Sequence, residues 1–221
     1  MAAISGLYAV TPETGDSAVE QDRLFANVAL VLEGGARALQ YRCKSPDATF
    51  RLSQARRLKV LCRQQGVTFI VNDDVELAAQ VEADGVHLGR EDAAIPLART
   101  RLGRSTLIGA SCYDDLGRAG AAVNAGADYL AFGSFYPSSV KPHAVRPSLD
   151  LLRQARHRWR LPLVAIGGIT LENAPKVIEA GADAVAVITA VFSSSDPRGS
   201  ARSIARLFDD GMQGEDSIVA T

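Results

Sequence analysis

The sequence is poor in several features that would each have given a quick answer. Its three cysteines, Cys43, Cys62 and Cys112, are odd in number, far apart and free of any CxxC spacing. That pattern excludes a disulfide framework and a thiolate metal site, and it fits reduced thiols in a cytoplasmic protein. No apolar run approaches the roughly 20 residues needed to cross a bilayer. The N-terminus lacks the basic-then-apolar pattern of a signal peptide, so a cytoplasmic location without a membrane partner is expected. The 24 basic and 25 acidic residues leave a net charge of −1, with no global field to attract nucleic acid or an anionic membrane. Recognition of an anion must therefore be local. Aromatic residues are scarce at 6%, against 47% hydrophobic overall. The core is thus built from Ala, Val, Leu and Ile, as in parallel strands buried under helices. No GxGxxG follows the first apolar segment, which disfavours an open doubly wound sheet. No Ser–His–Asp or Cys–His arrangement is evident either.

What is present is a repeat. GGARALQYR (Gly34–Arg42), EADGVHLGR (Glu82–Arg90), AGADYLAFG (Ala125–Gly133) and AGADAVAVI (Ala180–Ile188) share one order. A helix ends in small residues, a short apolar strand follows, and a polar or glycine-rich loop comes after it. An interval of roughly 45 residues holds two strand–helix units, so four joints imply about eight strands. The chain then reads as strands at Leu7–Thr11, Ala38–Arg42, Thr68–Val71, Gly85–Leu88, Thr106–Ala110, Asp128–Phe132, Pro162–Ile166 and Ala184–Ile188. Helices fall at Gln21–Glu33, Phe50–Gln65, Val75–Val81, Ala93–Leu102, Leu116–Ala125, Leu149–Trp159, Asn173–Ala180 and Ser200–Phe208. Strict alternation of short apolar strands with helices predicts an α/β fold, a single-domain (β/α)8 TIM barrel over residues 1–210. Residues 211–221 lose the apolar periodicity and are expected to form a disordered tail.

In such a barrel, chemistry sits at the C-terminal ends of the strands. Strand two ends in Gln40, Arg42 and, slightly beyond, Lys44; strand three runs from Thr68–Val71 straight into Asn72, Asp73 and Asp74. His87, Gly89, Arg90, Glu91 and Asp92 follow strand four, and Ser111, Cys112 and Tyr113 follow strand five. Strand six opens into a loop with Ser138, Ser139, Lys141, His143 and Arg146; strand seven ends in Gly167 and Gly168, strand eight in Ile188 and Thr189. Asp73 and Asp92, from adjacent strands, suit one hard divalent cation held through oxygen beside a phosphate. Asn72 or Asp73 equally suits the cap of the helix beginning near Val75. Asp92 equally suits a loop carboxylate paired with Arg90. Arg42, Lys44 and Lys141 suit a multiply charged phosphate, or are solvated loop charges. The Gly167–Gly168 pair and the start of the last helix offer backbone N–H groups where barrels bind a phosphate. His87 reads as a core or rim histidine, His157 as part of a solvated Arg-rich helix face, and the cysteines as packing residues. Two anion sites and one cation site imply two phosphorylated reactants, or one bisphosphate.

The ordered segments LYAVTP, ALQYRCK, FIVNDD, ADGVHLGREDA, IGASCY, ADYLAFGSFYPSSVKPHA, AIGGI and GADAVAVITAVF together resemble the thiamine-phosphate synthase family, from about Leu7 to Phe192. The resemblance implies a TIM-barrel transferase of thiamine biosynthesis. It would join 4-amino-5-hydroxymethyl-2-methylpyrimidine diphosphate to 4-methyl-5-(2-phosphooxyethyl)thiazole, releasing pyrophosphate with one Mg²⁺ per subunit. The same resemblance implies that Gln40, Tyr41, Arg42, Cys43, Lys44, Asn72, Ser111 and Lys141 bind the pyrimidine diphosphate. Arg42, Lys44, Ser111 and Lys141 would carry catalysis, and Asp73 and Asp92 would ligate the Mg²⁺. Ser138, Ser139, Gly168, Ile188 and Thr189 would receive the thiazole phosphate. The partners so implied are two small phosphorylated substrates, with homo-oligomerisation left open. Two departures stand out: Val140 where the family commonly has Thr, and Arg90 where Gln often precedes the Glu-Asp pair. Three alternatives share the fold: a thiazole phosphate tautomerase-like paralogue using a histidine base, a non-catalytic thiamine-pathway regulator, and a phosphosugar isomerase or aldolase.

Overall fold

A computed structural model describes residues 4–137 and 146–209. The loop residues Ser138, Ser139, Val140, Lys141 and His143, and the predicted tail, lie outside the described residues. Eight strands close into a barrel in sequence order. They are β1 (Gly6–Val10), β2 (Ala38–Tyr41), β3 (Thr68–Asn72), β4 (Gly85–Leu88), β5 (Leu107–Tyr113), β6 (Tyr129–Gly133), β7 (Leu163–Ile166) and β8 (Ala184–Val187). Every pair is parallel, and β1 closes on β8 with Gly6 opposite Ala184. The helices are α1 (Ala18–Glu33), α2 (Ala48–Gln65), α3 (Val75–Gln80), α4 (Ile95–Leu102), α5 (Leu116–Asn124), α6 (Leu149–Arg158), α7 (Ala174–Glu179), α8 (Thr189–Phe192) and α9 (Pro197–Asp209). The short α8 after β8 is absent from the periodicity reading, because four residues are too few to show a helical stripe. No helix among the described residues is long and apolar enough to cross a membrane.

The helices begin where side chains satisfy the first free N–H groups. Ser17 caps α1, Asp47 caps α2, Asp74 caps α3, Asp115 caps α5 and Ser148 caps α6. Alternation along each strand then divides the apolar residues into two cores. Leu7, Leu39, Phe69, Val71, Val86, Ile108, Leu130, Phe132 and Val185 pack outward under the helices. Tyr8, Val10, Ile70, Tyr129, Ala131, Val164 and Ala186 fill the barrel interior. That interior is narrow, and Gly109 makes room in it: a Cβ there would lie 2.0 Å from the Tyr129 ring.

The four repeats are the N-terminal rims of the even strands. Arg37, Asp84, Asp128 and Asp183 each precede an even strand and donate their N–H to the preceding odd strand, at Leu7, Phe69, Ile108 and Leu163 O. Each aspartate also accepts from that odd strand: Phe69 N at 2.8 Å, Ile108 N at 2.7 Å and Leu163 N at 2.6 Å. Each then meets a cation from the helix that precedes that odd strand: Lys59 of α2 on Asp84 at 2.6 Å, Arg99 of α4 on Asp128 at 2.6 Å, and Arg156 of α6 on Asp183. Arg156 is therefore a clasp on β8 and departs from the solvated Arg-rich face expected of this helix, on which His157 is exposed. At the fourth position the charges are exchanged, with Arg37 on the strand side and Asp209 of α9 opposite it at 3.5 Å.

The aspartate–cation clasps are partly exposed, so the Coulomb gain is small and the strand N–H bond carries most of their worth. Asp128→Ala leaves Ile108 N–H without its acceptor, at about 2 kcal/mol, and should lower the thermal midpoint by about 4–8 °C. Asp128→Asn, which keeps an acceptor oxygen, should recover most of that. A midpoint for the alanine variant within a degree of the parent would refute this account of the rim.

Candidate functional site

The opposite rim gathers the polar residues predicted from the strand ends. β2 carries Gln40 inward and Tyr41 outward, by alternation. Gln40 is buried and its amide donates to the Tyr8 hydroxyl at 2.9 Å. The Tyr41 hydroxyl donates to Gln54 Oε1 on α2 at 2.9 Å, so its hydrogen bonding is directed into the helical layer. Arg42, Cys43, Lys44, Asn72 and Asp73 come together around a cavity of about 350 Å³, which Tyr41, Arg51, Asp74 and Leu77 also line. That is the lower end of the range for small-molecule sites.

Asp73, at the exposed end of β3, has φ +64, a left-handed conformation that bulky L-residues rarely adopt. Its N–H donates to His87 O on β4 at 2.8 Å, which sews the start of this loop to the neighbouring strand. Asp74 is the cap of α3, accepting from Leu77 N at 2.9 Å and pairing with Arg51 at 3.4 Å. Capping is thus the work of Asp74, and Asp73 is free of it. Asp92 turns back over its own loop to accept from Gly89 N at 2.6 Å. Arg90 lies over the Tyr113 ring at 5.2 Å, opposite in role to the Asp92 partner considered from sequence. Arg118 also approaches Tyr113, at 5.5 Å, while its Nε donates to Ser111 O at 2.8 Å.

The two carboxyls influence one another. The Asp73 pKa is pushed up from 3.8 to about 6, first by removal of water from around the carboxyl and then by the Asp92 carboxyl beside it. Arg42 and the Asn72 amide act in the opposite sense but do not cancel the rise. Two acids brought together so that one resists ionisation is the arrangement a divalent cation relieves. No group of three or more His, Cys, Asp or Glu with metal-binding geometry exists among the described residues. The donor set is two carboxylates only, which fits a cation that keeps several waters and shares a substrate phosphate.

Ser111 lies where β5 bulges against β6, the register shifting between Ser111 and Tyr113. The bulge carries β5 beyond the Ala110 end expected from sequence. Ser111 Oγ meets His87 Nε2 at 2.8 Å, and His87 Nδ1 meets the Tyr129 hydroxyl at 3.0 Å. His87 is the satisfied interior histidine that its strand position implied. Gly167 and Gly168, both at positive φ, seat the segment after β6: a Cβ on Gly168 would lie 2.3 Å from Pro137 O. Their carbonyls serve as acceptors, Gly167 O from Tyr136 N at 3.0 Å and Gly168 O from the Asn173 amide at 3.0 Å. Ile188 precedes α8, and Thr189 begins it. Cys62 and Cys112 are buried with thiols pushed up to about 12 by desolvation, which makes them packing residues and not nucleophiles. Sequence reading missed Glu13, which pairs with Arg42 at 2.6 Å and accepts from Lys44 N at 3.1 Å. It also missed Tyr8 and Tyr129. Their signal was available: each is a phenol at an inward position of an otherwise apolar strand.

Comparison with known proteins gives the family. The profile of the thiamine monophosphate synthase family matches residues 7–191. A thiamine-phosphate synthase from Chromobacterium violaceum is 54% identical over 205 residues, covering 93% of this chain and 97% of the relative. One from Thiobacillus denitrificans is 53% identical over 203 residues, covering 92% and 94%. The solved thiamine phosphate pyrophosphorylase from Pyrococcus furiosus superposes with a TM-score of 0.81 at 34% identity, covering 93% of this chain and 96% of that one. The chain belongs to the thiamine monophosphate synthase family.

Proposed function

We propose that this chain condenses 4-amino-5-hydroxymethyl-2-methylpyrimidine diphosphate with 4-methyl-5-(2-phosphooxyethyl)thiazole at the rim just described, giving thiamine phosphate and pyrophosphate. As a member of its family it is a thiamine-phosphate synthase, a transferase; the residue roles that follow are our reading of the site. The observation that carries them is Asp73, which shares one cavity with Arg42 and Lys44 and whose carboxyl lies beside that of Asp92.

Asp73 and Asp92 would hold one Mg²⁺, which supplies charge stabilisation for an oxygen-rich leaving group when bound. Arg42 and Lys44, joined by Lys141, grip the diphosphate and take up the negative charge that grows as the C–O bond breaks. Arg42 is already committed to Glu13 at 2.6 Å, so the diphosphate exchanges for a carboxylate and not for bulk water. Gln40, Cys43, Asn72 and Ser111, with the backbone at Tyr41, orient the pyrimidine ring. Its amino group feeds electrons toward the methylene carbon, which favours a dissociative displacement. The thiazole nitrogen then captures that carbon, held in line by a phosphate seated on Ser138, Ser139, Gly168, Ile188 and Thr189. Position and electrostatics suffice, with little proton transfer. This agrees with a His87 occupied on both ring nitrogens and with thiols too basic to act as nucleophiles. A tautomerase or an aldolase would have no use for the paired acids, and the inward positions of the eight strands carry no lysine.

Asp73→Asn and Lys141→Ala should each cut pyrophosphate release by at least about a hundredfold, measured with both substrates and Mg²⁺. Near-normal turnover in both would sink the assignment. The raised Asp73 pKa also has a sign. Its advantage to the folded chain is fully present below pH 3.8 and is lost as pH rises through about 6, where Asp73 ionises beside Asp92. Cation binding needs that ionised form. The Mg²⁺ concentration that half-saturates the thermal shift should rise about tenfold for each pH unit below the pKa. Asp73→Asn should abolish the shift at pH 7.5. An Mg²⁺-induced shift of equal size at pH 7.5 and 5, or one kept by Asp73→Asn, would remove the cation from this pair.

A further inference from the structure

Five polar side chains from five strands form one hydrogen-bonded line through the barrel interior. Gln40 Nε2 donates to the Tyr8 hydroxyl at 2.9 Å, which meets the Tyr129 hydroxyl at 3.0 Å. Tyr129 meets His87 Nδ1 at 3.0 Å, and His87 Nε2 meets Ser111 Oγ at 2.8 Å. Gln40, Tyr8, Tyr129 and His87 are all buried, and every buried side-chain polar atom among the described residues has a partner. The line begins and ends at two residues assigned above to the pyrimidine, Gln40 and Ser111, on different walls of the mouth.

A line of this kind has a direction. Each hydroxyl holds one proton, and a neutral imidazole donates from one nitrogen and accepts at the other. In one order Gln40 donates to Tyr8, Tyr8 to Tyr129, Tyr129 to His87 Nδ1 and His87 Nε2–H to Ser111. The Ser111 proton is then left to donate into the mouth. In the reverse order Ser111 donates to Nε2, and the sense propagates back until Tyr8 donates to the Gln40 amide oxygen, the amide having turned over. Ser111 then faces the mouth as an acceptor, and Gln40 turns its N–H groups outward. A mixed order leaves a buried phenolic proton without an acceptor, or sets two lone pairs against each other, and either is costly in a dry interior. Burial also holds both phenols protonated at working pH, so the line cannot relax by losing a proton.

We propose that Tyr8, Tyr129 and His87 are positioning residues that tie the hydrogen-bonding sense of Gln40 to that of Ser111. The site would then read the donor–acceptor pattern of the pyrimidine as one unit and not at two independent contacts. The proposal rests on Gln40 and Ser111 facing that ring. A 4-aminopyrimidine presents an exocyclic donor next to a ring-nitrogen acceptor, and its 4-oxo analogue presents the inverted pair. The two orders of the line fit these opposite patterns, so the line admits either as a unit and rejects a ring, such as a 4-methoxypyrimidine, that presents two acceptors to Gln40 and Ser111.

The test is a double-mutant cycle of Gln40→Met and Ser111→Ala, read as kcat/KM for the pyrimidine diphosphate. It is run in the parent chain and again in two isosteric backgrounds, Tyr129→Phe and Tyr8→Phe. In the parent the double variant should depart from the product of the singles by roughly threefold or more, as contacts within one network do. In both backgrounds the departure should vanish, and the preference for the amino pyrimidine diphosphate over its 4-methoxy analogue, which presents two acceptors, should fall at least about fivefold. A purely structural phenol would lower the thermal midpoint without touching the cycle. A departure that survives both phenylalanine variants, or is absent in the parent, overturns the proposal. If neither single variant alters kcat/KM, Gln40 and Ser111 do not face the ring. The proposal then fails at its end points, while the Asp73 and Lys141 variants still decide the reaction itself.

Discussion

The phenol of Tyr129 stands in the space that Gly109 leaves open, and the rest of the barrel is arranged around it. Eight short strands enclose a cylinder too narrow for bulky inward residues on every strand. Glycine on β5 is therefore the condition for tyrosine on β6. Tyr8 meets that ring edge-on with centroids 6.2 Å apart, and the His87 imidazole stacks against it at 5.5 Å. Together these rings close the lower barrel to water. The polar rim above them then works over a dry floor, where each hydrogen bond and each charge counts for more than it would in solvent.

Charge is handled differently at the two ends. At the N-terminal rim three aspartates are each satisfied twice, by an odd-strand N–H and by a cation from the helix before that strand. They lock even strands to odd ones. At the C-terminal rim the pairing is left incomplete: Asp73 and Asp92 crowd one another, and only part of that crowding is relieved by Arg42 and the Asn72 amide. A chain with a net charge of −1 has no field to spend on substrate capture. Its anion recognition comes from a few cations held close by loops, and Glu13 keeps Arg42 ordered in the meantime.

Legibility in the sequence followed period and chemistry. The strand positions were readable because parallel strands buried on both faces are nearly pure apolar runs, and boundaries moved by only a few residues. The four repeats were readable as an order of elements, but their meaning was not. That Asp84, Asp128 and Asp183 bond the N–H of the strand before them depends on register, which spacing alone does not carry. The acid pair was legible because Asp73 and Asp92 end adjacent strands. Glu13 was not, since a lone carboxylate in a loop after β1 has no periodic or motif signal. The bulge at Ser111 was hidden because the polar residues of IGASCY read as the end of a strand, when they continue it.

That bulge bears on how the site is built. A strand without it would alternate regularly through Cys112 and Tyr113 against β6. Alternation already sets Ser111 inward against His87 and Cys112 outward in the core; the bulge redirects Tyr113, which takes a positive φ under Arg90 and Arg118. One extra residue therefore takes Tyr113 off the inward face that it would otherwise share with Ser111. Below it lies a dry, directional line of hydroxyls; above it lies a solvated ring flanked by guanidinium groups. On the proposed reading the Ser111 hydroxyl joins the interior line to the mouth, so the interior sets its hydrogen-bonding sense. Backbone geometry at β5, and not the identity of serine alone, is what gives that position its leverage.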